Sequence, residues 1–156
     1  MLTTIIENDI DAYIPFEYIS DDTEKLAMYK RLYDIKEFDN LRELKNELID
    51  RYGKYDLPVE NLFKIIELKI LATKLGIEKI IINGPYALIC FPVKENQLSI
   101  DDEFFNTLIN KMSSSSLSER FKFLNDTKSL VLKFNFSSEE DSVRLKELEK
   151  FLSLQL

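Results

Sequence analysis

Neighbouring carboxylates are the side chains in this sequence that come nearest to a catalytic set. Three acidic groups could supply an acid and a base for hydrolysis: Asp21-Asp22, Asp101-Asp102-Glu103 and Glu139-Glu140-Asp141. Each group stands where a helix is predicted to begin, and acidic side chains there cap free N–H groups and complement the helix dipole. A carboxylate hydrolase would need two carboxyls that converge in one pocket. The sequence identifies no such pair, so we predict no catalytic residue and no enzyme activity for this chain by itself.

Other residue types that carry chemistry are scarce. The 156-residue chain has no histidine, and so lacks the commonest general base and metal ligand near neutral pH. Cys90 is the only cysteine, which excludes an internal disulfide and a structural zinc site. It lies in an apolar strand with no predicted basic neighbour, as expected of a small buried hydrophobic residue. The chain has three glycines and no phosphate-binding loop or calcium-loop motif, so we expect no cofactor and no metal.

The charge balance narrows the class of partner. The chain has 28 acidic and 21 basic side chains, which gives a formal net charge of −7. Binding to nucleic acid or to an anionic membrane depends on Lys and Arg, so neither is expected as a direct partner. The sequence shows no signal-peptide pattern and no apolar run of about 20 residues, the length that spans a bilayer. These features predict a cytoplasmic protein.

Three helices are predicted in the first half of the chain, after an extended segment at 8–19. Asp21 and Glu24 have capping-box spacing, and Leu26, Tyr29 and Tyr33 follow at helical intervals. The third helix is apolar on most of its circumference, which predicts that it is the central buried helix. The predicted helices span 21–36, 40–52 and the stretch from Pro58 to Gly76.

The second half changes to the period of strands. We predict two β-hairpins, a helix near 100–112 between them that Ser99 caps, and a last helix that starts with a capping box of Ser137 and Glu140. The hairpin connections are too short for parallel crossovers, so the sheet should be mainly antiparallel. The sequence therefore predicts a single α+β domain over residues 1–156. The predicted strands are Lys79–Ile82, Tyr86–Phe91, Phe121–Leu124 and Leu130–Phe136.

One candidate interaction surface follows from helical geometry. On the second helix Glu43, Glu47 and Asp50 stand at i, i+4 and i+7, roughly opposite the apolar stripe of that helix. Taken alone, this pattern is most simply a solvated face whose carboxylates are balanced by Lys45 and Arg51. The functional alternative is a docking face for Arg or Lys side chains of a partner.

A set of short motifs lies along the first part of the chain. In order, they are Asp11-Ala12-Tyr13-Ile14-Pro15, Tyr18-Ile19, Tyr29-Lys30-Arg31-Leu32, Glu47-Leu48-Ile49-Asp50-Arg51-Tyr52-Gly53, Pro58-Val59-Glu60-Asn61-Leu62, Lys69, Ala72 and Leu75-Gly76-Ile77. Together they resemble the C-terminal domain of the bacterial transcription-repair coupling factor, Mfd. The resemblance covers residues 5 to about 93 by motif, and beyond that only the order of elements fits. The family usually has more proline where this chain has 54–57.

The resemblance implies a regulatory role inside a larger protein. Members of the family are DNA translocases that displace stalled RNA polymerase and recruit the excision-repair protein UvrA, and their motor motifs are absent here. Their C-terminal domain packs on a UvrB-like N-terminal module and hides the surface that UvrA binds. The resemblance places Glu47 and Asp50 at that contact, and Glu43 joins them by helical geometry. The function implied is therefore an autoinhibitory interaction domain, whose partner is the UvrB-like module and, indirectly, UvrA and RNA polymerase.

An alternative of another class is an accessory domain that contacts DNA or RNA polymerase beside the motor. The net charge of −7 speaks against contact with DNA. A salt-dependent mobility shift with duplex DNA would favour this alternative over the autoinhibitory one.

Overall fold

Four helices and seven strands follow one another in the described part of the chain, which comprises residues 3–94, 97–98, 110, 120–126 and 129–154 of a computed structural model. No helix within these residues is long and apolar enough to cross a membrane. The elements are β1 (Ile5–Asn8), α1 (Asp22–Tyr33), α2 (Phe38–Tyr52), α3 (Leu57–Lys74), β2 (Lys79–Asn83), β3 (Tyr86–Phe91), β4 (Val93–Lys94), β5 (Gln97–Leu98), β6 (Phe121–Asp126), β7 (Ser129–Asn135) and α4 (Asp141–Ser153).

The three predicted N-terminal helices are confirmed, with local differences. The Asp21 side chain accepts a hydrogen bond from the Glu24 N–H at 2.9 Å, as the capping spacing predicted. The residues of α1 that enter the core are Met28 and Leu32, whereas Leu26 is 72% exposed. The prediction that Leu26 belongs to the buried stripe of α1 is therefore wrong. The buried face of this helix contains Met28 and Leu32 and leaves Leu26 on the solvent side. Helix α2 ends at Gly53, whose φ of 84° is a conformation that glycine adopts without strain.

Helix α3 lies between two apolar clusters and belongs to both, which confirms the prediction that it is the central buried helix. One cluster joins α1, α2 and the extended segment to one side of α3, where Ile66 is completely buried. The other joins the opposite side of α3 to the sheet and α4, through residues such as Leu68 and Ala72. A helix covered on two sides must be apolar around most of its surface, which is the pattern in the sequence.

The main sheet has five strands in the order β1-β2-β3-β7-β6. The pairs β2–β3 and β6–β7 are antiparallel, as the two predicted hairpins required, and the pair β3–β7, which joins the hairpins, is antiparallel as well. Strand β1 was not predicted as a strand, and it pairs with β2 in parallel, with Ile5 opposite Lys79. Ala87, Ile89 and Phe91 of β3 face the core, while the alternate residues of that strand are half-buried. The sheet is therefore mixed but mainly antiparallel.

The predicted capping box before the last helix is wrong. Glu140 is the residue that precedes α4, and its side chain makes no capping bond. Ser137 instead donates from its N–H and its hydroxyl to the carboxylate of Glu147, at 3.0 and 2.9 Å. The predicted helix near 100–112, its Ser99 cap and the acidic group at 101–103 lie outside the described residues, apart from Asn110.

Candidate protein-interaction surface

Helix α2 holds the three predicted carboxylates on one side by burying its other side. Leu41, Leu44 and Leu48 are almost completely buried against α1 and α3. Glu43 and Asp50 are exposed, and Glu47 between them is partly exposed. We call Glu43, Glu47 and Asp50 the acidic face. Because the buried leucines fix the rotation of the helix, the positions of these carboxylates are set by the core.

Glu47 is already paired within the chain. Both guanidinium nitrogens at the end of Arg31 on α1 donate to its carboxylate, and Arg51 one turn away on α2 lies 3.5 Å from it. The hydrogen bond from Arg31, with the charges of both arginines, lowers the pKa of Glu47 below its usual value although partial burial opposes this. Its side chain is 36% exposed, so each of these pairs contributes about 0.2–1 kcal/mol. Glu47 is thus held in one position, and Arg31 and Arg51 largely balance the negative charge of its carboxylate.

Glu43 and Asp50 have a different environment. Neither makes an ion pair or a hydrogen bond through its carboxylate with another described residue. Lys45, which the sequence suggested as a balancing charge, pairs instead with Glu67 of α3 at 2.9 Å and lies 5.4 Å from the Phe63 ring. The acidic face therefore keeps two carboxylates whose charge the described residues leave unpaired.

The extended segment before α1 carries one anchored and two exposed aromatic side chains. The Tyr18 hydroxyl donates to the carbonyl oxygens of Leu48 and Gly53, at 3.2 and 2.8 Å, and so ties this segment to the end of α2. Burial raises the pKa of Tyr18, which keeps its hydroxyl a donor. Tyr13 and Phe16 remain about half and two-thirds exposed, at 48% and 66%. The segment is thus pinned at Tyr18 and offers two aromatic rings to solvent.

The carboxylate groups considered for catalysis do not converge on a common point among the described residues. Asp21 caps α1, and Asp141 binds Arg144 at 2.6 Å. Within the same part of the chain, no group of three or more Cys, Asp or Glu side chains is placed to hold a metal ion. Asp21 therefore has the capping role that its position predicted, whereas in the second described group Glu140 makes no capping bond and Asp141 pairs with Arg144.

Cys90 has a basic neighbour that the sequence did not suggest. Lys79 stands directly opposite it across the β2–β3 pair, and Lys79 in turn binds Glu7 at 2.8 Å. Burial raises the pKa of the Cys90 thiol more than the charge of Lys79 lowers it. The thiol is therefore mainly protonated at neutral pH and is a poor nucleophile. Lys79 lies opposite Cys90 because of the register between β2 and β3. The residue pattern of one strand alone does not give that register.

Comparison with known proteins gives a consistent set of relatives. The family model described as TRCF domain matches residues 8–102. A transcription-repair-coupling factor of Staphylococcus epidermidis is 35% identical over 100 residues, which are 64% of this chain and 9% of that protein. The factor of Bacillus subtilis is 42% identical over 77 residues, which are 49% of this chain and 6% of that protein. The chain therefore spans less than a tenth of the length of these relatives.

The fold has a counterpart among solved structures. The crystal structure of the C-terminal domain of a transcription-repair coupling factor superposes with a TM-score of 0.79. The match covers 99% of this chain and 92% of the solved chain, at 24% sequence identity. The likeness therefore extends over the second half of the chain, beyond the region that the family model matches.

Proposed function

The chain belongs to the TRCF domain family, and from this premise we propose that it is a regulatory protein-interaction domain of a longer transcription-repair coupling factor. In that parent it acts as an autoinhibitory element. It packs on the UvrB-like module and masks the surface that UvrA binds. The parent supplies the ATP-dependent translocase activity, and this domain supplies the contact.

The observation that carries the proposal is the pair of unpaired carboxylates on a helix whose orientation is fixed. Glu43 and Asp50 are exposed, the buried leucines on the other side of α2 prevent the helix from turning, and the described residues give neither carboxylate a partner. Charge-assisted hydrogen bonds to Arg or Lys are the strongest contacts such groups can make. A basic patch on the UvrB-like module is the partner that fits this chemistry.

Glu47 has a separate role in the proposed contact. Arg31 and Arg51 hold its carboxylate in one position and reduce its availability to a partner. Reversing its charge would place a lysine between two arginines and disturb the domain itself. Glu47 therefore orders the centre of the acidic face, whereas Glu43 and Asp50 meet the partner.

The test compares UvrA binding by the parent protein with and without Glu43→Lys and Asp50→Lys. We expect the double variant to open the protein and raise UvrA capture about tenfold, the effect of roughly 1.4 kcal/mol. Glu139→Lys is the matched control, because it reverses an exposed carboxylate in the loop before α4. It should leave UvrA capture unchanged.

Folding of the isolated chain provides the second arm of the experiment. Both substitutions are at exposed positions, so its unfolding free energy should change by less than about 0.5 kcal/mol. If the variant chain folds normally and UvrA capture does not rise, the acidic face is a solvated surface and the proposal fails. A salt-dependent shift of duplex DNA by the chain would instead favour the accessory role beside the motor.

A further inference from the structure

Strand β1 is one of the two outer strands of the main sheet. It pairs on one side with β2, where the Ile5 N–H donates to the carbonyl of Glu78 at 3.1 Å. Backbone groups of successive residues in a strand point to opposite sides, so those of Ile6 and Asn8 point away from β2. In the described part of the chain, no strand pairs with that side of β1. The described residues therefore leave a short row of backbone donors and acceptors unpaired there.

A groove runs beside this open edge. Its first part, of about 310 Å³, is lined by residues 3–6 of the β1 region and by Tyr33 and Lys69, with Ile65 and Ile66 of α3 beneath. Its second part, of about 180 Å³, shares Thr3 and Lys69 with the first, and its apolar wall includes Ile35 and Ile70. An added strand would lie over the apolar residues of α3, so that alternate side chains could enter the groove.

The rim of the groove is basic although the chain as a whole carries a net charge of −7. Lys36, Lys69 and Lys74 line it, and Glu37 is the acidic residue in its wall. Lys74 lies 3.4 Å from Glu37, and Lys69 donates to the Tyr33 carbonyl at 3.2 Å, a contact that leaves its charge uncompensated. Lys36 is exposed and has no ion pair with a described residue. The local charge therefore favours an acidic occupant.

We propose that the β1 edge binds an extended segment of a partner protein that carries alternating apolar and acidic side chains. The segment adds to the sheet beside β1, and its backbone bonds to the outward groups of Ile6 and Asn8. Its apolar side chains enter the groove between β1 and α3, and its carboxylates reach Lys36 and Lys69. Backbone pairing requires a polypeptide, and the lysines select acidic sequences. This site shares no residue with the acidic face of α2.

The first test measures fluorescence anisotropy of labelled peptides with the 156-residue chain. The probes are an alternating valine–glutamate peptide and an alternating valine–lysine peptide, each about eight residues long, a length near that of a typical strand. We expect saturable binding of the glutamate peptide and at least about tenfold weaker binding of the lysine peptide. Lys36→Glu should weaken glutamate-peptide binding about fivefold, whereas Lys54→Glu, at another exposed lysine, should have no effect. Equal binding of the two peptides, or none below millimolar concentration, overturns the proposal.

The second test follows amide hydrogen exchange by NMR with the glutamate peptide near saturation. The N–H groups of Ile6 and Asn8 should exchange at least about tenfold more slowly. Those of Ile5 and Glu7, which already face β2, should change little. Peptide binding without protection of Ile6 and Asn8 would mean that no strand is added. Protection that rises with chain concentration in the absence of peptide would identify a second copy as the occupant, and also overturns the proposal.

The two functional proposals fail independently. Glu43→Lys with Asp50→Lys should leave glutamate-peptide binding unchanged, because these residues do not line the groove. Lys36→Glu should leave UvrA capture by the parent unchanged for the converse reason.

Discussion

At the scale of single residues, Arg144 joins parts of the chain that are far apart in the sequence. Its side chain is 4% exposed, and it donates to Asp9 and Asp141 at 2.6 Å each and to the carbonyl of Gly84 at 3.2 Å. Asp9 also accepts from the Gly84 N–H at 2.8 Å. Arg144 therefore fastens the residues after β1 and the β2–β3 turn to the first turn of α4.

Loss of this guanidinium should be costly, because it leaves two carboxylates without their partner. Removing one member of a buried ion pair typically costs about 3–5 kcal/mol. Because the Asp9 side chain is 44% exposed, the cost of Arg144→Met should lie at or below the lower end of that range. We expect a loss of about 2–3 kcal/mol in urea denaturation. Lys146→Met removes an exposed charge from the same helix and should cost less than about 0.5 kcal/mol. Equal losses for the two variants would show that Arg144 contributes only as an ordinary helix residue.

Glu147 makes the stability of the domain sensitive to acid. Burial alone would raise its pKa, but hydrogen bonds from Ser137 and the pairing with Arg120 outweigh this and lower it. A carboxyl with a lowered folded-state pKa contributes stability that is complete above the unfolded-state value of about 4.3 and is lost as the pH falls through the folded-state value.

Glu147→Gln should therefore flatten the dependence of unfolding free energy on pH below about 4.5. The difference in slope can reach at most about 1.4 kcal/mol per pH unit, since a single proton is involved. Urea denaturation between about pH 3 and 7 measures it. The control is Glu139→Gln, at an exposed position before α4. A Glu147→Gln profile parallel to that of the unsubstituted chain would contradict the prediction.

Local residue contacts were predictable where both partners lie within one helical turn. The bond between Asp21 and the Glu24 N–H follows from spacing alone. Ser137 offered the same spacing, but a carboxylate ten residues away, Glu147, binds it instead. From the sequence alone, Arg144 would be taken for an ordinary exposed residue of an amphipathic helix. Its partner Asp9 is 135 positions away in the chain, so no local pattern indicates the pair.

At the scale of elements, the two hairpins were predictable because each turn joins its own two strands. Strand β1 was not, because it is four residues long and its partner β2 begins more than 70 residues later. A non-local parallel pair leaves no turn signal in the sequence. Helix α2 was predictable to within two residues, because its apolar stripe and its terminal Gly53 are both local.

The central position of α3 leads to a prediction about the core. Ile66 is completely buried, so truncation to alanine should cost about 2–5 kcal/mol through lost apolar burial and the cavity left behind. Chemical denaturation of the Ile66→Ala chain measures the loss. Leu26→Ala, at a side chain that is 72% exposed, is the control and should cost less than about 1 kcal/mol. A loss below about 1 kcal/mol at Ile66 would be inconsistent with α3 as the shared core helix.

At the scale of the whole molecule, the sequence predicted which residues form the candidate site. It predicted only in part how their charges are paired. Helical spacing and the family resemblance together identified Glu43, Glu47 and Asp50. The pairing of Glu47 with Arg31 was not predictable, because it depends on how α1 packs against α2. The structure thus separates one internally paired carboxylate from two that the described residues leave unpaired.

The difference between Glu47 and the two unpaired carboxylates predicts an order of effects on the proposed contact with the UvrB-like module. The contact is tested with a parent fragment that contains this module but lacks its own C-terminal domain. Asp50→Lys replaces an attractive charge by a repulsive one, so it should weaken binding more than Asp50→Asn. Losing one side of a partly desolvated pair costs about 2–5 kcal/mol. Glu47→Gln should act less strongly, because Arg31 and Arg51 already compensate its charge. Isothermal titration at about 0.05 and 0.3 M salt measures both the order and the screening that a charged contact requires. Affinity that is independent of salt would remove the acidic face from the contact. A larger loss at Glu47 than at Asp50 would contradict the assignment of Asp50, rather than Glu47, to the partner.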